Sequence, residues 1–215
     1  FDEVEYKLPF GTIGSLIAGR QIKSTIDSLF KWRSTRLLRD LSDISKSYEK
    51  KKIIVTGSTG LAGPQLVAYL RVLGHKVTRM VRSETKDLIG EPLDTPPIFW
   101  NPYEKIPSSM FDGCDVVIHL AGAGIGDKRW TSKRRREILE SRTIPTEQLC
   151  KSLAELENPP SLLSASAVGI YGNRGNERLN ELSAIGESGF LNSVARAWEN
   201  ATSSAVNAGI RTILL

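Results

Sequence analysis

Three glycines set two residues apart, Gly57, Gly60 and Gly63, punctuate the run Lys52-Ile53-Ile54-Val55-Thr56-Gly57-Ser58-Thr59-Gly60-Leu61-Ala62-Gly63. A β-branched run ends at the first glycine, and a helical pattern opens near the second. That order predicts a buried strand, a tight turn and a helix N-terminus. Such a turn lets backbone N–H groups of Gly57, Ser58, Thr59, Gly60 and Leu61 approach a pyrophosphate, and Gly63 lets the helix lie close to the strand. The positive end of the helix dipole points the same way. The chemistry expected of this stretch is the grip of a dinucleotide. Its spacing is G-x-x-G-x-x-G rather than the commoner G-x-G-x-x-G, so an ordinary strand-to-helix turn is the competing reading.

The next strand decides which dinucleotide fits. About 20 residues past the first glycine, an acidic side chain holds the ribose 2′-OH of NAD, whereas an arginine accommodates the 2′-phosphate of NADP. This chain has no Asp or Glu there; it has Arg79 and Arg82, with Ser83 beside them. A guanidinium meets a phosphate through two parallel hydrogen bonds. Arg82 is the first candidate and Arg79 the second, which favours NADP(H) over NAD(H). Two surface arginines on a strand end are the alternative. Further on, Ala121, Gly122 and Ala123 follow a third strand, where small residues let a cofactor ribose approach the backbone; they also suit a plain strand-to-loop turn.

The elements that must position these residues alternate. Strands are expected at 53–55, 75–81, 115–120 and 160–165, with a short one at 98–100. Helices are expected at 61–73, 131–156 (interrupted near Pro145) and 190–208, and a last strand at 211–215. Alternation of this kind predicts right-handed crossovers and an α/β fold: a Rossmann-type doubly wound parallel sheet with helices on both faces. The chain stops within that last strand, so a substrate-binding part following it is expected to be missing. Residues 1–50 read differently. A short strand at 4–9 and a turn at 9–11 lead into a helix at 13–41, whose apolar Ile22, Ile26, Leu29, Phe30, Leu37, Leu38 and Leu41 recur at three- and four-residue steps. Two elements cannot bury that stripe alone, so it packs on the following domain or on partners upstream of Phe1. A membrane-surface role for this cationic helix is a weaker reading. A polar linker covers 46–51, and the incomplete dinucleotide-binding domain is 52–215.

Composition narrows the class further. No apolar run reaches the ~18–20 residues that span a bilayer, and the acidic start Phe1-Asp2-Glu3 is not a signal peptide. With no initiator Met, the chain is expected to begin inside a longer protein. Only 2 cysteines, Cys114 and Cys150, and 2 histidines occur, without metal-ligand spacing, so no metal is expected. Two reduced thiols point to a cytoplasmic setting. The densest basic cluster, Lys128-Arg129 and Lys133-Arg134-Arg135-Arg136, reads as a solvated helix start. Anion contact is the second reading, and nucleic acid is not expected because no stacking aromatics are interleaved.

Four pieces form an ordered set: Thr56 to Gly63; Leu120-Ala121-Gly122-Ala123-Gly124-Ile125 with Arg129-Trp130-Thr131 and Ser141-Arg142; Ser164-Ala165-Ser166-Ala167-Val168-Gly169-Ile170-Tyr171-Gly172; and Ala197-Trp198-Glu199. Over roughly residues 51–215 the set closely resembles the epimerase-like branch of the extended and atypical short-chain dehydrogenase/reductases. Proteins of this kind are described as nucleoside-diphosphate-sugar epimerases or SulA-type cell-division inhibitors. The resemblance implies an oxidoreductase or epimerase acting on a hydroxyl- or carbonyl-bearing small molecule such as a nucleotide sugar. Residues 1–45, through Tyr6 to Gly11 and Phe30-Lys31-Trp32-Arg33, resemble the last strand and long helix of a START/SRPBCC-like domain, which implies such a domain upstream.

In the wider superfamily a Tyr relays the substrate proton and a Lys four residues later lowers its pKa. The resemblance places Ser166 where a Ser orients the substrate oxygen, with Ser164 as a second candidate, and makes Tyr171 the available acid/base. The expected Tyr-x-x-x-Lys pair is missing: the region reads Gly189-Phe190-Leu191-Asn192-Ser193-Val194-Ala195-Arg196. Arg142 stands in place of an Asn used by other members and is a candidate for the missing positive charge near the cofactor. Asn173 and Arg174 lie near the expected mouth, as substrate contacts or as plain loop residues. A non-catalytic NADPH-binding sensor or scaffold is therefore the second functional class.

Overall fold

Lys52–Thr56, the strand before the glycine turn, pairs in parallel with a strand on each side, and the fold grows outward from it. The computed structural model describes residues 11–45, 49–82 and 95–215. The strands are β1 (Lys52–Thr56), β2 (Lys76–Val81), β3 (Ile98–Phe99), β4 (Val116–His119), β5 (Ser161–Ser164) and β6 (Thr212–Leu214); the helices are α1 (Gly11–Ser45), α2 (Gly63–Val72), α3 (Ser132–Ala154), α4 (Phe190–Asn200) and α5 (Ser203–Asn207). All pairs are parallel and the sheet runs β3-β2-β1-β4-β5-β6. The order reverses between β1 and β4, which is where a sheet of this kind opens a crevice at the carboxyl ends of its strands.

The sheet is buried on both sides, so its strands read as nearly unbroken apolar runs. Ile53, Val55, Val77 and Ile118 turn to one face and pack with Val67 of α2. Ile54, Met80, Val117 and Leu162 turn to the other, against Leu149 and Leu153 of α3 and Ala205 of α5. Burying a side chain of this size stabilises by about 1.5–3 kcal/mol, and Val55, Val117, Leu149, Leu153 and Leu162 are fully enclosed.

Two helices differ from expectation. Helix α3 runs unbroken through Pro145. An interior proline costs about 3 kcal/mol, but Ile138 before it and Leu149 and Leu153 after it are all fully buried, and that packing holds the axis. Thr143 and Thr146 also turn their hydroxyls back to the carbonyls of Leu139 and Arg142, at 3.1 and 2.5 Å. The expected helix over 190–208 is instead α4 and α5. The break falls where Ala201 N–H is shared between Ala197 and Trp198 carbonyls and where both the N–H and the hydroxyl of Thr202 donate to Glu199 O, a tightened last turn.

The chain divides into two units, Phe1–Tyr48 and Glu49–Leu215. In the first, α1 confirms the predicted helix and extends it to Ser45, and its Leu29, Trp32, Leu37, Leu38 and Leu41 are exposed. The expected strand at 4–9 and most of the turn at 9–11 lie outside the described residues, as do 46–48; Gly11 is already helical. Among the described residues no helix is long and apolar enough to cross a membrane.

Candidate dinucleotide site

A cleft of about 410 Å³ opens at the carboxyl ends of β1, β2, β3 and β4. Its floor is the turn Gly57–Gly60. Met80, Val81 and Arg82 form one side, and Trp100, Pro102 and Tyr103 close the end beyond β3. The loop 120–124 forms the opposite wall, backed by Arg134, Glu137, Ser141 and Pro145 of α3.

The turn is shaped by contact. Gly57 has φ +67°, and a Cβ there would lie 2.5 Å from the carbonyl carbon of Leu120. A Cβ on Gly63 would lie 2.5 Å from both Gly57 O and Ser58 Cα. Both neighbours are backbone, so nothing can give way. Gly60 N–H closes the turn onto Gly57 O at 3.0 Å and is not available to a ligand. The N–H groups of Ser58, Thr59, Leu61 and Ala62 meet no acceptor among the described residues. Unpaired donors at the start of α2 are a ready anion seat. The side chain of Leu61 is 98% exposed, so only its backbone can contribute.

The two arginines separate. Arg79 is buried: its Nε donates to Ser58 Oγ at 3.1 Å and its Nη2 to Ser58 O at 3.4 Å. It braces the turn from below and does not line the cleft. Arg82 is exposed and lines it. Ser83 lies outside the described residues.

Helix α3 fixes the opposite wall. Thr131 caps it, its Oγ1 accepting from Arg134 N–H at 3.2 Å. Ser141 Oγ accepts from Ala123 N–H at 3.0 Å, and Arg134 Nη2 donates to Gly124 O. Arg134 is thus not part of a solvated basic face: it is buried, paired with Glu137 at 2.8 Å and Asp127 at 3.5 Å, and turned inward because the cap sets its direction three residues on. Arg142 also departs from the cofactor-facing place expected of it. It lies behind Gly122, 3.1 Å from where a Cβ would be, with its guanidinium 5.1 Å over the Trp198 ring and Nη1 donating to Ile138 O at 3.0 Å. Burial, and then repulsion from Arg134, hold its pKa below the usual range.

Under the wall runs a buried polar chain. Thr56 Oγ1 meets His119 Nδ1 at 2.7 Å, His119 Nε2 meets Thr146 Oγ1 at 3.0 Å, and Trp198 Nε1 donates to Thr146 Oγ1 at 3.0 Å. Thr146 gives its own proton to Arg142 O, so it accepts from His119. That assigns the neutral Nε2–H tautomer, with Nδ1 accepting from Thr56. Complete burial lowers the His119 pKa from 6.5 to about 4.

Ser166 and Tyr171 sit at the same edge of the sheet but are not joined. Ser166 Oγ donates to the Glu199 carboxylate. Tyr171 ends a short 3₁₀ turn, Val168–Tyr171, and no hydrogen bond links it to Ser166 among the described residues. Neither lines the cleft. Phe190, in the region expected for the relay Tyr, packs edge-on against Trp130 at 5.3 Å and under Arg135 at 5.3 Å. Arg174 pairs with Glu177 at 2.8 Å and donates to Ala184 O, and Asn173 accepts from Gly175 N–H, so both hold their loop. Sequence reasoning missed Trp100, Tyr103, Glu137 and Glu199. Trp198-Glu199 was visible only as a family mark, because its partners lie 33 and 52 residues away in the chain. Among the described residues no cluster could hold a metal ion.

Comparison with known proteins agrees with this geometry. Residues 53–187 match the NAD dependent epimerase/dehydratase family. An epimerase family protein of Mycobacterium leprae is 33% identical over 172 residues, covering 80% of this chain and 53% of that protein. The crystal structure of the nucleoside-diphosphate sugar epimerase from Corynebacterium glutamicum superposes with a TM-score of 0.70 at 37% identity, over 90% of this chain and 40% of that one. Human epimerase family protein SDR39U1, crystallised with NADPH, gives 0.60 at 26% identity, over 76% of this chain and 52% of that one. The chain spans about half the length of the curated relatives it matches. With a six-stranded parallel sheet, a glycine turn at its switch point and a family match over most of its length, the chain belongs to the NAD-dependent epimerase/dehydratase family.

Proposed function

We propose that the protein binds NADP(H) and acts as an epimerase or oxidoreductase on a hydroxyl- or carbonyl-bearing substrate, with a nucleoside-diphosphate sugar as the favoured class. The observation that carries the reading is the pairing of the unsatisfied N–H groups of Ser58 and Thr59 with an exposed arginine, Arg82, in one cleft, next to the unpaired N–H groups of Leu61 and Ala62 at the start of α2. The pyrophosphate takes the turn and the dipole end of α2. Arg82 takes the 2′-phosphate, with Ser83 beside it and Arg79 holding the turn in shape. Ala121, Gly122 and Ala123 face the cofactor ribose, and the charge of Arg142 acts from behind them. The bound cofactor supplies hydride exchange; Ser166 and Tyr171 handle the substrate oxygen. NADPH in the human relative supports the choice of cofactor.

Residues 1–45 are proposed to end a START/SRPBCC-like domain. The Corynebacterium structure matches 90% of this chain, more than residues 49–215 alone can supply. Two free thiols, Cys114 and Cys150, suit a cytoplasmic protein.

One observation favours a second reading, an NADPH sensor or scaffold without turnover, of the kind linked to cell division. The 189–196 segment carries neither Tyr nor Lys, and Phe190 is packed between Trp130 and Arg135. Calorimetry with NADPH and NADH tests the cofactor assignment: NADPH binds at least about tenfold tighter, and Arg82→Ala removes that preference. Equal affinities unaffected by Arg82→Ala refute it, and absence of heat with either removes both readings. Nicotinamide absorbance with a panel of nucleotide sugars and carbonyl compounds, beside Tyr171→Phe, then separates enzyme from sensor.

A further inference from the structure

We propose that Glu199 is the proton acceptor of this site and that Ser166 relays to it, in place of the missing Tyr–Lys pair. The proposal rests on the reading of the cleft as a cofactor seat. Ser166 continues β5 past its last paired residue. Its N–H donates to Leu215 O at 2.9 Å, and the N–H of Ala165 donates to His119 O at 2.9 Å. Ser166 therefore stands at the carboxyl edge, outside the cleft lining but beside the loop that starts at Leu120 and walls the cleft. Glu199 comes from α4, whose position is set by the buried Trp198 and by Thr202 Oγ1 donating to Glu199 O at 2.7 Å.

Three features distinguish this pair from an ordinary surface contact. No Lys or Arg pairs with Glu199 among the described residues, so the serine hydroxyl is the only group that binds its carboxylate. Both residues are partly exposed, so water can reach them for proton exchange. The third is polarity. A serine hydroxyl has one proton and two lone pairs. Its proton is given to Glu199, so what Ser166 offers a ligand is an acceptor. An acceptor suits the alcohol form of a substrate.

The step follows. As the substrate carbon gives up hydride to an oxidised nicotinamide dinucleotide, the substrate O–H proton passes to Ser166 Oγ while the Ser166 proton passes to a Glu199 oxygen. The substrate C–H and O–H bonds break, a C=O bond forms, and Glu199 becomes a neutral acid that returns its proton to water. Reduction of a carbonyl runs the same path backwards.

The test has one arm that needs no substrate. In Ser166→Cys the thiol faces the same carboxylate, which resists its ionisation. Iodoacetamide labelling against pH, read peptide by peptide to separate it from Cys114 and Cys150, gives a midpoint that falls by at least about one pH unit when Glu199→Gln is added. No change in that midpoint overturns the pairing. On the turnover panel, Glu199→Gln lowers kcat about 100-fold, leaves the Kd for NADPH unchanged and removes the acid limb of the kcat profile; Glu199→Asp recovers part of the rate. Full kcat in Glu199→Gln overturns the relay, as does an inert wild type, while the calorimetric result for NADPH stands or falls separately.

Discussion

Acidification should loosen this fold, and His119 carries a defined share of the loss. His119 is fully buried and neutral, with both ring nitrogens engaged, and its pKa is lowered to about 4 by burial. In the unfolded chain it returns to about 6.5. The folded value is the lower one, so the unfolded state takes up the proton first. The contribution to stability is complete above pH 6.5 and is lost as pH falls toward 4. A gap of roughly 2.5 pKa units corresponds to about 3 kcal/mol in total, of which about 2 kcal/mol is gone by pH 5. For a domain holding about 5–15 kcal/mol, that is a large fraction. Urea unfolding at pH 7.5 and at pH 5, compared between wild type and His119→Gln, isolates the term, because the variant lacks the titrating group. Wild type should lose about 2 kcal/mol more than the variant over that interval. With only 2 histidines in the chain, the imidazole NMR signals can be assigned directly. If His119 titrates near 6.5 in the folded protein, or if the two unfolding series run parallel, the reasoning fails.

The glycine turn makes a graded prediction. Gly63→Ala forces a Cβ to 2.5 Å from backbone, whereas at Gly60 the nearest atom is Gly57 O at 3.2 Å. Thermal melts should show Gly63→Ala losing about 1–3 kcal/mol with at least tenfold weaker NADPH binding, and Gly60→Ala losing less of both. The two arginines should part company as well. Arg79→Ala leaves the buried Ser58 hydroxyl and carbonyl short of a donor and lowers stability by about 1–3 kcal/mol. Arg82→Ala weakens NADPH binding and lowers the melting temperature less than Arg79→Ala does. Equal effects of the two on melting contradict the division of labour.

How far the fold was legible follows from what each strand buries. β1, β2, β4 and β5 announce themselves because a parallel sheet is covered on both faces, and the pattern Ile53-Ile54-Val55 needs no partner to be read. β3 is two residues long and amid prolines, so its neighbours Trp100 and Tyr103 escaped notice as cleft residues. The arginine pair is constrained by the pleat of its strand. Residues three apart on an extended chain face opposite ways, so Arg79 and Arg82 cannot address one phosphate from the same strand. Pro145 misled for the opposite reason: local propensity argued for a break, and burial of Ile138, Leu149 and Leu153 overrode it. The Ser166–Glu199 contact was not legible at all. It joins two elements whose approach depends on the packing of α4 against α3 and the Val168–Tyr171 turn, which sequence spacing does not encode.

The segment around Pro145 shows why that proline is tolerated at a site-bearing helix. Within nine residues α3 sends Ile138 into the core, Ser141 to the N–H of Ala123, Arg142 behind Gly122 and Thr146 to both His119 and Trp198. One end of this set holds the cleft wall. The other reaches Thr56, the last residue before the glycine turn, through His119, and Glu199 through its neighbour Trp198. The wall, the turn and the Ser166–Glu199 pair therefore share one rigid support. Buried hydroxyls and imidazole can be satisfied in only one arrangement, whereas an apolar contact tolerates sliding. A polar chain at this point fixes the register of α3 against β1, β4 and α4, and that register sets the distance from the cofactor seat to the residues that would take the substrate's proton.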